Sequence, residues 1–372
     1  MYRLSCLLLL IALSVNAQPE DTTAAQVDEF DFSEFELAAP PSKSFCNNKV
    51  LGQSPTTLIG VTYTFQGPHD FTAGNPADNP LTGDGSNDLS ETNNIQNTHE
   101  FALAGNFPIV SRNNILINLN VIYSEQHYNF TGESSNHPFT QSLQANPLRS
   151  ATTLGTVFKP LNDKRFLLGQ FGVALNGDYS FSDFDQSFNT LRYSAALLYG
   201  FKPNDRLMYA FGLARTYLGG ALNYVPVVYY YHTFKNEKWG TEFLLPSRAY
   251  LRYRFNSTSL AGFGFNVLGN TYRLNNFAEY PGASVPGNDL AYSQAQDIEL
   301  RRSEIRLGAR YMRSIKGFFW LIAEAGYRMN WSYDVDRDGD FVRFFGSDDP
   351  YYIENELGNP FYFTIGISYV SP

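Results

Sequence analysis

The sequence predicts an all-β protein, a transmembrane antiparallel up-and-down β-barrel of twelve to fourteen strands. Three observations predict it. The chain begins with a secretory leader, it repeats segments that alternate apolar with small or polar residues over about ten positions, and its short turns alternate with long loops.

Residues 1–17 carry one positive charge at Arg3, an apolar run from Leu7 to Leu13, and Val15 and Ala17 at the small-residue cleavage positions, so they read as a signal peptide removed after Ala17. Cys46 is then the one mature cysteine, which excludes an internal disulfide framework. No later run of eighteen apolar residues exists, and mean hydropathy is negative. That argues against membrane helices, while a barrel hides its apolarity in alternation. An aromatic content of 16 % suits rings gathered at two membrane interfaces. The net charge of −9 argues against nucleic acid as a partner.

Residues 18–55 read as an acidic, disordered periplasmic arm, with seven acidic residues from Glu20 to Glu36 and no basic one before Lys43. Phe30, Phe32 and Phe35 are interleaved with the acids, and this leaves a docking peptide or a lumen plug as the other reading.

The barrel is expected over residues 56–372. Its first strand alternates Thr57, Ile59, Val61, Tyr63 and Phe65 with Leu58, Gly60, Thr62, Thr64 and Gln66. The pattern returns at Phe101, Leu103, Phe107 and Ile109, then from Ile115 to Tyr123, with Asn118 and Asn120 on the opposite face. A weaker copy spans residues 151–158. Further copies run through Phe171, Val173 and Leu175, through Leu197, Tyr199 and Phe201, through Tyr209, Phe211 and Leu213, and through Phe263, Phe265 and Val267. The last strand sets Phe361, Phe363, Ile365, Ile367 and Tyr369 against Tyr362, Thr364, Gly366, Ser368 and Val370. This C-terminal strand resembles the signal that outer-membrane barrels present to their insertion machinery, although Ser371 and Pro372 follow it.

Short turns are expected at residues 111–113, 161–164, 202–205, 236–238, 256–257 and 314–317, and long loops at 67–98, 131–148, 275–296 and 334–358. Short turns belong on the periplasmic side, which puts both termini there too. Pro246 divides two short segments; as an independent hairpin they give fourteen strands, and folded into the lumen or along the rim they leave twelve.

Charge enters the lumen face late in the chain. Arg302, Glu304, Arg306 and Arg310 share one face of a strand, and Glu324 and Arg328 share the inward face of the next. A turn centred on Lys316 sets Glu304 opposite Arg328, and Glu324 opposite Gly308. Two readings follow: paired charges that stabilise a narrow lumen, or an electropositive constriction for anions to which Arg252 and Arg254 also contribute. In a third arrangement the acidic arm pairs with these arginines as a gate.

Asp334, Asp336, Asp338 and Asp340 follow the spacing of the first half of a calcium-binding loop, with Phe345 where a bidentate Glu is needed. The readings are a structural Ca2+ in an extracellular loop or an acidic surface loop. No other cofactor is expected. His69, His99, His127, His137 and His232 sit in no nucleophile motif, so no catalytic residue is assigned.

The stretches LPSRAYLRYRFN with GFGFNVLGNTYRL, and RSEIRLGARYMRSIKGFFWLIAEAGYR, resemble an uncharacterised family of outer-membrane barrels of Bacteroidota-type bacteria. The resemblance implies architecture and an outer-membrane location in a Gram-negative cell, and brings no activity. The expected function is a pore or gated channel for a small solute, with outer-membrane lipids and the insertion machinery as partners. The alternatives are a non-conducting surface barrel whose loops bind a partner, and a hydrolase at the rim.

Overall fold

A computed structural model describes residues 44–75, 90–132, 135, 137–180, 191–218, 220–275, 298–337 and 351–371. The leader, residues 18–43 of the arm, and Asp338 and Asp340 lie outside the described residues.

The chain is a closed antiparallel barrel. Its elements in order are β1 (Thr57–Gln66), β2 (His69–Ala73), β3 (Glu91–Arg112), β4 (Ile115–Phe130), α1 (Pro138–Ala145), β5 (Leu148–Pro160), β6 (Arg165–Gly177), β7 (Arg192–Asn204) and β8 (Leu207–Thr216). There follow β9 (Asn223–Thr233), β10 (Trp239–Leu245), β11 (Arg248–Asn256), β12 (Ser259–Arg273), β13 (Ile298–Lys316), β14 (Phe319–Arg337), β15 (Glu356–Leu357) and β16 (Phe361–Val370). Strand β1 pairs with both β16 and β3, which closes the ring; β2 and β15 lie outside it and extend the upper part of β3. The wall therefore has 14 strands, since β10 and β11 each ladder with both neighbours. Pro246 falls in the turn between them, where it interrupts no ladder.

The alternation read in the sequence sets which residues face out. Ile59, Val61, Leu103, Phe171, Leu197, Phe263, Ile365 and Ile367 are exposed on the outer wall, with Leu213 64 %, Trp331 64 % and Phe361 75 % accessible. Such a belt has no place in water and matches the hydrocarbon of a bilayer. The wall is uneven: β3 has 22 residues and β13 and β14 have 19 each, against 7 in β10 and 9 in β11.

Apart from the Pro246 turn between β10 and β11, which faces the other way, the short turns and the described chain ends lie at one end of the barrel, the turn end; the loop end is opposite. Residues 44–55, expected as the last part of a free arm, are instead strapped across the turn end. The Cys46 amide donates to Asn162 O at 3.0 Å, the Leu51 amide to Asp205 O at 2.8 Å, and the Ser54 amide to Glu242 Oε1 at 2.8 Å. Arg254 Nη2 donates to Gly52 O at 3.0 Å and Gln53 O at 2.9 Å. The correction has a physical reason, because this stretch has no acid to repel it and offers carbonyls to the cations of the rim. Gly52 takes a φ of 66°, a bend open to glycine, and burial pushes the Cys46 thiol up from its ordinary pKa.

At the loop end a second core closes the lumen. Phe71, Ile95, Phe139, Leu143, Leu148, Leu300, Tyr333, Val335 and Ile353 are buried together, and Phe71 meets Phe139 and Tyr333 edge-on at 5.7 and 5.9 Å. Parts of the expected long loops are therefore structured, as β2, α1 and the upper part of β14. Helix α1 starts on Pro138 and is capped by His137, whose Nδ1 accepts from the Phe139 amide at 3.2 Å while Nε2 lies 3.1 Å from Gly74 O. Burial lowers the His137 pKa.

Candidate functional site

The lumen between these two closures holds the charged residues singled out in the sequence. Strand β13 aims Arg302, Glu304, Arg306 and Arg310 inward at its two-residue period, and β14 aims Glu324 and Arg328 inward. Their register differs from the expected one by two residues. Glu304 stands opposite Asn330, Arg306 opposite Arg328, Gly308 opposite Gly326, and Arg310 opposite Glu324. The cause is the turn. Gly317 adopts a φ of 54° and takes the corner, with a bulge between Ser314 and Lys316, so the hairpin is centred one residue later than Lys316. A second bulge at the level of Ser303 and Glu304 turns Tyr333 and Val335 into the loop-end core.

Four of the six residues form one network at the outer level. Glu304 is fully buried; its Oε2 takes Arg302 Nη2 at 2.6 Å, its Oε1 takes Arg306 Nε at 2.6 Å, and Arg328 Nε lies 4.0 Å away. Arg306 Nη2 reaches Glu100 on β3 at 2.6 Å, Arg302 donates to Gln126 on β4, and Arg328 donates to Gln66 on β1 and to His69 Nε2 at 3.1 Å. The network thus spans the lumen from β13 to β3 and β4. Glu100 and Gln126 were not singled out from the sequence, and Gln66 and His69 were named without this role, because all four lie some 180 to 260 residues from their partners.

Arg310 and Glu324 stand apart from it. Between the levels of Arg306 and Arg310 runs one register row: Tyr250, Gly264, Gly308, Gly326 and Tyr362. Added side chains at Gly308 and Gly326 would strike Tyr362, so the glycines leave room for its ring. Above the row Arg306 lies 5.8 Å from the Tyr362 ring centre; below it Arg310 lies 4.4 Å from that of Tyr250. Glu324 Oε1 accepts from the Tyr362 hydroxyl at 2.7 Å.

Beside and below this row the interior is open. A cavity of about 520 Å³ extends from Arg310, Tyr250 and Asn266 on one wall to Asn106, Asn118 and Asn120 on the other, with residues 48, 49 and 53–57 as its floor. Arg252 and Arg254, expected to contribute to a constriction, are occupied with closure. Arg252 Nε lies 3.0 Å from Glu242 Oε1, and Arg254 holds the strap.

In the acidic loop, Asp334 accepts from Ser332 at 2.6 Å and from the Asn355 amide at 3.0 Å, while Asp336 pairs with Arg301 at 2.6 Å. Among the described residues no cluster of metal-ligating side chains forms. Of the histidines, His69 belongs to the Arg328 network and His127 pairs with Glu125 at 2.7 Å.

No protein-family model matches the chain, and no curated protein is similar to it in sequence. Among solved structures, it is similar to an outer membrane channel from Pseudomonas putida F1, at 11 % identity over 90 % of this chain and 100 % of that one with a TM-score of 0.38. A FadL homologue of Pseudomonas aeruginosa is 10 % identical over 86 % and 91 %, with a TM-score of 0.34. The outer membrane protease OmpT of Escherichia coli is 10 % identical over 86 % and 100 %, with a TM-score of 0.26. Likeness at this level carries no activity across to this chain, whose architecture stands on its own strand ladder.

Proposed function

We propose that this protein is an outer-membrane channel for a small polar solute, held closed by the strap at its periplasmic mouth and by the charge network toward the loops. The observation that carries the reading is the polar cavity inside the barrel, bounded by side chains from strands on both sides of the ring and by a strap whose bonds to the rim are nearly all hydrogen bonds. A barrel that serves only as an anchor has no need of water-filled volume in its lumen. The alternation of short turns and long loops supports a periplasmic location for both termini, and β16 is the segment the insertion machinery would read. The family resemblance adds a Bacteroidota-type envelope as the setting.

The test is conductance in a planar bilayer, comparing the mature chain with one lacking residues 18–55. Steady current from the shortened chain and brief or small openings from the mature one are expected. The buried aromatic core at the loop end favours a second reading, a non-conducting barrel that presents its loops to a partner. Silence from both proteins would sink the channel and leave that reading.

A further inference from the structure

The cavity has an unbalanced charge. Its wall carries two guanidinium groups, Arg248 and Arg310, against one carboxylate, Glu242, which Arg252 neutralises at 3.0 Å. Arg310 has the Tyr250 ring on its face and, among the described residues, no carboxylate within ion-pair distance; its cross-strand neighbour Glu324 is engaged by the Tyr362 hydroxyl. A ring on the face of a guanidinium fixes its plane and leaves the in-plane donors pointing outward. One of these, Nε, is buried without a hydrogen-bond partner. Arg248 is likewise without a carboxylate: its Nη2 donates to the Tyr231 hydroxyl at 3.2 Å. Two guanidinium groups on the wall of one polar cavity set up a positive potential that draws an anion into it.

The facing wall is of different chemistry. Asn106, Asn118 and Asn120 line it, and Asn106 Oδ1 is a second buried polar atom without a partner. Strands β4 and β11 are half the ring apart, so these amides look across the lumen at Arg248 and Tyr250. Side-chain amides both donate and accept, which is what a hydroxyl group requires. The volume falls within the range of small-molecule sites.

We propose that the cavity binds a small hydroxylated organic anion, its carboxylate or phosphate held by Arg310 and Arg248 and its hydroxyls read by the asparagines opposite. This rests on the channel reading for its place on a solute path, and it names the class of solute. The cationic site is then not the Arg302, Arg306 and Arg328 group, whose charge is spent on Glu304 and Glu100, but Arg310 below the tyrosine and glycine row together with Arg248, which shares a register row with Arg306, three strands away from Arg328, and lines the cavity.

Calorimetric titration of the detergent-solubilised mature chain tests it, with gluconate, glucose 6-phosphate, glucose and glucosamine as probes. At least one of the two anions binds about tenfold or more tightly than glucose, glucosamine is weakest, and Arg310→Gln removes about tenfold or more of the anion affinity. The tighter anion identifies the oxyanion. Arg310→Lys keeps the charge and loses the fork, so it falls between the two and guards against a folding defect in the glutamine variant. Equal affinity for glucose and both anions, anion binding indifferent to Arg310→Gln in a folded variant, or no binding of any probe overturns the proposal. Bilayer current separates the two readings: current without anion preference and without binding removes the site and keeps the channel, whereas Arg310-dependent binding without current does the reverse.

Discussion

The two levels of the lumen use the same residues to opposite ends. At the outer level Arg302, Arg306 and Arg328 surround the buried Glu304, and each also reaches a strand beyond its immediate neighbours. One step below the tyrosine and glycine row, Arg310 comes from the same strand and the same face, yet has an aromatic ring for company and open space in front. An inward arginine is therefore not a selectivity element by its type or spacing. What decides is whether a carboxylate lies within reach, and that depends on strands far away in the chain.

The sharpest way to break this contrast is to remove one charge from each level. Glu304→Gln leaves three buried guanidinium groups facing one another and is expected to cost about 3–5 kcal/mol. Arg310→Gln breaks no ion pair and stays within about 1 kcal/mol of the parent. Urea unfolding in detergent, read by the heat-modifiable shift of the folded barrel on a gel, compares them; equal losses would erase the distinction between the levels.

The strap sharpens the comparison from the other side. Arg254→Ala deletes the bonds to Gly52 O and Gln53 O and should loosen residues 44–55, raising maleimide labelling of the buried Cys46 on the order of tenfold while the outer network stays intact. An unchanged labelling rate would mean that the other anchors suffice.

A smaller effect belongs to pH at the loop end. His137 caps α1 in its neutral form, and burial lowers its pKa below the ordinary value of about 6.5. The unfolded cap binds a proton more readily than the folded one, so its stability is full above that value and declines as pH falls below it. The protection of the Phe139 amide, exchange taken relative to the intrinsic base-catalysed rate, should fall on acidification in the parent and stay level in His137→Gln. The smallest expected change is with calcium. Asp334 and Asp336 are already engaged by Ser332, Asn355 and Arg301, so millimolar calcium should move the thermal transition by about 1 °C or less. A rise of several degrees reversed by a chelator would restore the calcium-loop reading.

The barrel was legible because its signal is local. A two-residue period over a strand is read without knowing any neighbour, and the outward residues from Ile59 to Tyr369 follow it. The inward faces of β13 and β14 were legible for the same reason. Pairing was harder, because one glycine with a positive φ at position 317 and the bulge beside it displaced the register by two residues. The strap was missed since a segment that contributes mainly backbone carbonyls and amides shows no periodicity. Glu100 and Asn106 were missed, and Asn118 and Asn120 were placed on the opposite face without a role, because their meaning lies across the lumen, where sequence separation carries no information.

The row Tyr250, Gly264, Gly308, Gly326 and Tyr362 has a further consequence. Three of its five members lend the wall no side-chain volume, so the free cross-section beside them is governed by two phenol rings. The bore along that stretch of wall is a matter of the torsion angles of two side chains, adjustable by turning them while every rung of the ladder stays in place.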